Sequence, residues 1–375
     1  MSDPITTELE LASYRAKHVP LFNAQPLKFG IFSANASGNI FMTKAPTTYE
    51  ISWDHTTRIA RQADDLGFEA FIPVARFRGF GGDINWNGRV YETLTYAAGI
   101  AASTKNIMTF ATVHAPLVHP VLAAKALTTV DHISGGRAGL NLVMGWYEKE
   151  LRMMGTELRG HEDRYGYGAE WIEVADQLWS RSGNFDYHGK YLDLEGLEAE
   201  PKPIQPRPVI LNAGASPAGQ DFAARYADFN FASFTTLDQA TGYSTGIRAK
   251  AAEYGRSIGV ITLVVLVCRE TEEEAKAAYQ AIIDKGDWEA AANFMRDISP
   301  QSFGEHLKKE FLAKSVAGSG GHSIVGTPEQ VVAGLLEIKQ AGIDCVLLGM
   351  LDYVEELKFF GERVMPLLKQ AGLRI

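Results

Sequence analysis

Short apolar runs, each closed by turn residues and followed by a stretch of helical period, recur along this chain. Residues 107–112 (IMTFAT) and Ala138–Val143 (AGLNLV) are the clearest. Each run is brief and partly β-branched, the pattern of a strand buried on both faces. Between them, 120–133 has the length and composition of a helix, so the three segments predict a βαβ unit. Polar residues stand where the strands stop: Thr112 ends the first and Asn141 interrupts the second. These positions are the expected floor of an active site.

The same pattern predicts further strands at 28–33, 69–74, 209–212, 228–232, 260–268 and 344–350, eight in all. Helices are expected at 52–66, near 89–103, at 216–226, through 249–254, and at 272–284, 327–341 and 354–370. In the first, Ile59, Ala63 and Leu66 share a face and Gly67 stops the helix. Thr327 caps another, with Pro328 suited to its first turn. An excursion at 147–207 holds a short helix (147–154), a long one (162–182) and a hairpin about His188-Gly189. Its connector carries Pro201, Pro203, Pro206 and Pro208, which exclude helix. Residues 286–322 form a polar insertion ending Gly318-Ser319-Gly320-Gly321, read either as a mobile lid or as a dimer-interface or disordered loop. Residues 1–26 read as an N-terminal arm, packed on a neighbouring subunit or partly disordered, and 27–375 as one domain. Eight strand–helix units argue for a TIM (β/α)8 barrel with insertions. The rival is a doubly wound open sheet, against which the missing GxGxxG after the first strand counts.

Composition narrows the function without choosing it. The 375 residues are 46% apolar and 22% charged, ordinary for a soluble globular protein. A formal net charge of −9 leaves no global basic footprint for nucleic acid. The longest apolar run, 261–268, is too short to span a bilayer, and no secretory signal is expected from the polar N-terminal residues. Cys268 and Cys345, the two cysteines, lie in apolar runs and read as buried thiols. A cytoplasmic protein, with no nucleic-acid or membrane partner, is expected.

In a barrel of this kind the chemistry sits at the C-terminal strand ends. These are Ser33 and Asn35, 74–78, 112–114, 141–146, 214–216 and 349–352. No trustworthy carboxylate pair for hydrolysis stands there, and no G-x-S-x-G elbow exists. His114 and His119 have no credible third ligand, so no metal site is expected. An apolar, amide-lined rim implies a bound cofactor. Ala213-Gly214-Ala215-Ser216 ends a strand and opens a helix, where small residues and the helix N-terminus favour a phosphate. Arg164 and Tyr165 would add charge and a hydroxyl. The alternative is a plain turn and N-cap.

The segments IMTFAT, HISGGRAGLNLVMGW, HEDRYGYGAEW, NAGAS with ARYADFNF, and the ending GTPEQVVAGLLEIKQAGIDCVLLGMLDYVEELKFFGERVMPLL together resemble the bacterial-luciferase-like flavin monooxygenases. The resemblance runs from about Lys28 to Leu368. ARFRGFGG and ARYADFNF look most like the branch that opens pyrimidine rings, and the C-terminal segment equally like the dimethyl-sulfone branch. It implies a barrel binding reduced FMN (FMNH2) supplied by a separate NAD(P)H-dependent flavin reductase, with O2 as co-substrate and one oxygen inserted into a small organic substrate. The first expectation is C–N cleavage of a pyrimidine or amide, with sulfone or organosulfur oxidation as the alternative. Two other readings are a non-catalytic flavin-binding protein and a deazaflavin-dependent hydride transfer.

By motif match, Ala75 and Arg76 would lie beside the isoalloxazine, Asn141 on its polar edge and Glu150 near the ribityl chain. Arg164, Tyr165, Gly214, Ala215 and Ser216 would hold the phosphate. Thr112, Asn141 and Val143 match positions that frame an O2 pocket near flavin N5, implying an N5 oxygen adduct. A homodimer or homotetramer is expected. Leu263 and Val265 replace the Arg and His with which related enzymes hold sulfonates, implying a neutral or less polar substrate there.

Overall fold

The computed structural model describes residues 8–46, 49–234, 236–298 and 309–375. Eleven strands are found among them. They are β1 (Lys28–Phe32), β2 (Ala70–Ile72), β3 (Met108–His114), β4 (Ala138–Val143), β5 (Phe185–His188), β6 (Asp193–Leu197), β7 (Val209–Asn212), β8 (Phe229–Phe231), β9 (Gly259–Cys268), β10 (His322–Gly326) and β11 (Cys345–Gly349). Eight run parallel in the order β1-β2-β3-β4-β7-β8-β9-β11. β11 returns to β1, Lys28 opposite Cys345 through Ile31 opposite Leu348, so the sheet closes into a (β/α)8 barrel.

β5 and β6 form the expected hairpin outside the barrel. β10 was not foreseen. β9 is long enough to pair first with β8 and then, from Val264 to Cys268, with β10, while β11 takes its other edge.

Strand alternation sorts the side chains into two layers. Met108, Phe110, Leu211, Ile261, Leu263, Val265 and Leu347 fill the barrel interior. Ala111, Val113, Leu140, Leu142 and Val264 face the ring of helices, against Tyr96, Leu127 and Trp171. A fully buried side chain of this size contributes about 1.5–3 kcal/mol. The long helix His161–Ser180 sits in this ring: its Trp171 indole donates to the Val118 carbonyl at 2.8 Å and its Trp179 indole to Ala124 at 3.2 Å.

Two local signals hold as read: Gly67 leaves in the left-handed region (φ 74°), and Thr327 caps Pro328–Gln340, where Gln330 completes a capping box. Ser52, expected inside its helix, is instead the cap of Trp53–Asp65, accepting from the His55 amide.

The described part of the N-terminal arm lies on the chain's own barrel. Helix Glu8–His18 brings Arg15 into a bidentate pair with buried Asp228, both contacts 2.8 Å. Val19 and Leu21 join the interior apolar cluster. Residues 1–7 fall outside the described residues. No described helix is long and apolar enough to cross a membrane.

Candidate functional site

Parity and register build the floor of the site. On β3, residues 108, 110, 112 and 114 face the interior, and Thr112 pairs with Asn141 of β4. Both side chains therefore meet inside the barrel two residues before the C-terminal ends of their strands. The Thr112 hydroxyl donates to the Pro73 carbonyl at 2.5 Å and accepts from Asn141 Nδ2 at 3.2 Å. That bond fixes the amide. Asn141 Oδ1 is buried and has no hydrogen-bond partner. A buried carbonyl left unpaired costs about 1–3 kcal/mol, so this oxygen calls for an N–H donor.

Above the floor lies a cavity of about 190 Å³ whose lining includes Ala75, Arg76, Thr112, His114, Asn141, Val143, Phe32 and Phe231. Five of the eleven residues expected at the site, Ala75, Arg76, Thr112, Asn141 and Val143, thus meet around one space.

Glu150 does not line it. Its fully buried carboxylate accepts from the amides of Phe77 (2.7 Å) and Arg78 (3.1 Å) and from Arg76 Nη1 (3.3 Å). It therefore anchors the loop after β2 and balances the Arg76 charge. The Arg76 guanidinium stacks over Phe80, Trp146 and Tyr147, 5.0–5.5 Å from the ring centres. His114 ends β3 beside Arg76. Burial first, and then the Arg76 charge, push its pKa down to about 4, against a hydrogen bond to the Ala75 backbone. Its imidazole is neutral at pH 7.

Of the remaining expected residues, Tyr165, Gly214, Ala215 and Ser216 gather beside the N-terminus of helix Pro217–Tyr226, and Arg164 does not. Ser216 caps it, accepting from the Gly219 amide at 3.2 Å. Gly214 and Gly219 touch: a Cβ on Gly214 would stand 2.7 Å from Gly219 Cα, and one on Gly219 would stand 2.6 Å from the Tyr165 hydroxyl. Glycine at both positions keeps this cradle open. Ala215 lies exposed at its rim, its carbonyl accepting from Gln220. Arg164 turns toward the end of β4, donating to the Gly145 carbonyl at 2.7 Å, with a buried, unpartnered Nε.

Sequence reasoning missed one part of the cavity's cover, the loops that meet on the Asn39 carbonyl. The Asn39 carbonyl, after β1, accepts from Trp86 Nε1, Asn87 Nδ2 and the Ser33 hydroxyl. Ser33, Asn39 and Asn87 sit at positive φ, tolerated best by Asn, and the Asn85-Trp86-Asn87-Gly88 stretch carried that signal. Helix Trp288–Ile298, inside the insertion at 286–322, adds Phe294 and Ile298 to the lining, and Ser319 completes it. Residues 299–308 fall outside the described residues.

Comparison with known proteins bears on this geometry. The family model for luciferase-like monooxygenases matches residues 27–345. The FMNH2-dependent dimethylsulfone monooxygenase of Pseudomonas putida is 31% identical over 356 residues, spanning 92% of this chain and 96% of the relative. The pyrimidine monooxygenase of Acinetobacter baylyi is 31% identical over 353 residues, spanning 91% and 95%. Riboflavin lyase, solved with modified FMN and riboflavin, has a TM-score of 0.85 at 22% identity over 93% of this chain and 92% of its own, a likeness of fold.

Proposed function

The chain belongs to the luciferase-like monooxygenase family, and we propose that it is an FMNH2- and O2-dependent monooxygenase acting on a small organic molecule. The observation that carries the reading is the buried, unpaired Oδ1 of Asn141, a residue that lines the cavity. It is a fixed acceptor waiting for a ring N–H, as the polar edge of an isoalloxazine presents.

The residues present fit that group. Asn141 would hold its ring, with Ala75 and Arg76 alongside. Ser216, Tyr165 and the Gly214–Gly219 cradle would hold its phosphate, assisted by the N-terminal dipole of helix Pro217–Tyr226 and by Arg164. Bound reduced flavin supplies the two electrons that let one oxygen atom enter the substrate while the other leaves as water. Thr112 keeps the Asn141 amide from flipping, because its own hydrogen is spent on Pro73. Arg76 provides a fixed positive charge at the cavity wall, where developing negative charge is stabilised without reorganisation. Neutral His114 offers no proton at pH 7. Glu150 contributes through the loop it anchors.

Helix Trp288–Ile298 and the turn at Ser319 act as the cover that excludes water. A separate NAD(P)H-dependent flavin reductase supplies FMNH2, as the relatives' naming for FMNH2 supports. We place the protein in the cytoplasm, in keeping with two buried free thiols, and as a homodimer or homotetramer, to be measured by light scattering.

The test is an anaerobic titration with reduced FMN, read by flavin fluorescence. Saturable binding, weakened in Ser216→Ala and Tyr165→Phe, is expected. No affinity for reduced FMN overturns the proposal.

A further inference from the structure

Most hydroxyl and side-chain amide hydrogens around the cavity are already spent on the protein itself, while Asn141 Oδ1, which the flavin ring would take, and Arg76 Nε are left unpaired. The hydroxyl hydrogen of Ser33 goes to the Asn39 carbonyl, that of Thr112 to Pro73, and that of Ser319 to Ile40. Both amide hydrogens of Asn87 go to the carbonyls of Ser37 and Asn39. His114 is neutral and tied to the Ala75 backbone. Arg76 is the one charged side chain among the described lining residues, and Glu150 balances it. No carboxylate lines the space among those residues.

The walls are apolar. Phe32 and Phe231 meet edge to face across the mouth, 5.2 Å between ring centres, and Phe294 and Trp86 do the same on the other side at 5.2 Å. On β9, Leu263 and Val265 are buried in the interior cluster. The glycine turn at 318–321 closes directly over them, since a Cβ on Gly318 would overlap Val265 and one on Gly321 would stand 3.1 Å from Leu263. A cation on that strand would find neither room nor a partner.

A site that selects a pyrimidine or a sulfone must present donors to the substrate's oxygens, because such pairing is what separates polar substrates from their apolar analogues. Here the hydroxyl and Asn87 amide donors face inward to the backbone, which leaves Arg76 Nε as the one unpaired donor established among the described lining residues. Resting on the monooxygenase reading, we infer that the substrate is a compact, uncharged, largely hydrophobic molecule with at most one polar atom, held by Phe32, Phe231, Trp86 and Phe294. Pyrimidines, sulfones and polycarboxylates are not its substrates.

The experiment is anaerobic calorimetric titration of the full chain, free and saturated with reduced FMN, with toluene, cyclohexanone, uracil, dimethyl sulfone and nitrilotriacetate as probes. Toluene and cyclohexanone are expected to bind at least tenfold more tightly than the other three, and Phe231→Ala and Phe294→Ala each to weaken toluene about tenfold. Uracil, dimethyl sulfone or nitrilotriacetate binding as tightly as toluene overturns the inference, as does the absence of binding by both apolar probes. Failure to bind reduced FMN overturns the flavin reading alone, because the ranking of probes in the free protein still decides the substrate class.

Discussion

Replacing Asn141 by leucine separates what the residue does for the fold from what it does for a ligand. In the free protein Asn141 Oδ1 is buried and unpaired, a cost of about 1–3 kcal/mol. Leucine removes that cost. It also removes the bond from Asn141 Nδ2 to Thr112, worth about 1 kcal/mol net. Thr112 keeps its stronger contact to the Pro73 carbonyl, so no new unpaired donor appears. The side chain borders a cavity, which leaves room for the change in shape. The free variant should therefore be as stable as the parent or more stable, by up to about 2 kcal/mol. FMN affinity should move the other way, falling about 10- to 100-fold, or about 1.4–2.8 kcal/mol, as the ring loses its acceptor. Urea unfolding of the free proteins and fluorescence titration with FMN measure the two quantities on the same samples. A variant destabilised by more than about 2 kcal/mol with unchanged FMN affinity would refute the reasoning, since the orphaned oxygen would then be serving the fold.

Other perturbations probe the neighbouring parts. Glu150→Ala strands a buried guanidinium and frees two loop amides, so it should cost about 3–5 kcal/mol in denaturant unfolding, whereas Glu150→Gln should cost less. Gly219→Ala pushes a methyl group against the Tyr165 hydroxyl and should weaken FMN about tenfold while leaving riboflavin, which lacks the phosphate, bound as before. His114 carries a folded pKa of about 4 against an ordinary value of 6.5, so between those values the unfolded chain binds the extra proton. Stability should thus be full above about pH 6.5 and decline as pH falls toward 4, by about 3 kcal/mol from this group. His114→Gln should flatten that part of the stability profile in unfolding experiments from pH 7 to 4.5.

Much of this architecture is legible because alternation and register are local rules. Once 107–112 and 138–143 are read as adjacent parallel strands, Thr112 and Asn141 must face the same interior, and they do. The cap at Thr327 and the stop at Gly67 follow from the same kind of short-range chemistry. What the sequence hid depends on long-range contact. Glu150 was expected against a ligand, yet its carboxylate is consumed by amides more than 70 residues earlier, and no spacing announces such a pairing. The cover built on the Asn39 carbonyl needs three donors from two separate loops. Arg15 finds Asp228 across 213 residues, which turned an expected arm into part of the barrel's base. β10 was overlooked because five residues, HSIVG, carry too little apolar pattern to stand out from a glycine-rich insertion.

The central claim is oxygen transfer driven by reduced flavin, and isotopic oxygen tests it most directly. The full chain is loaded anaerobically with FMNH2, supplied with cyclohexanone or toluene, and mixed with isotopically heavy O2. The account predicts one heavy atom in the organic product and one in water. Conversion of all the heavy oxygen to hydrogen peroxide with each probe, or a product carrying oxygen from solvent, would contradict it.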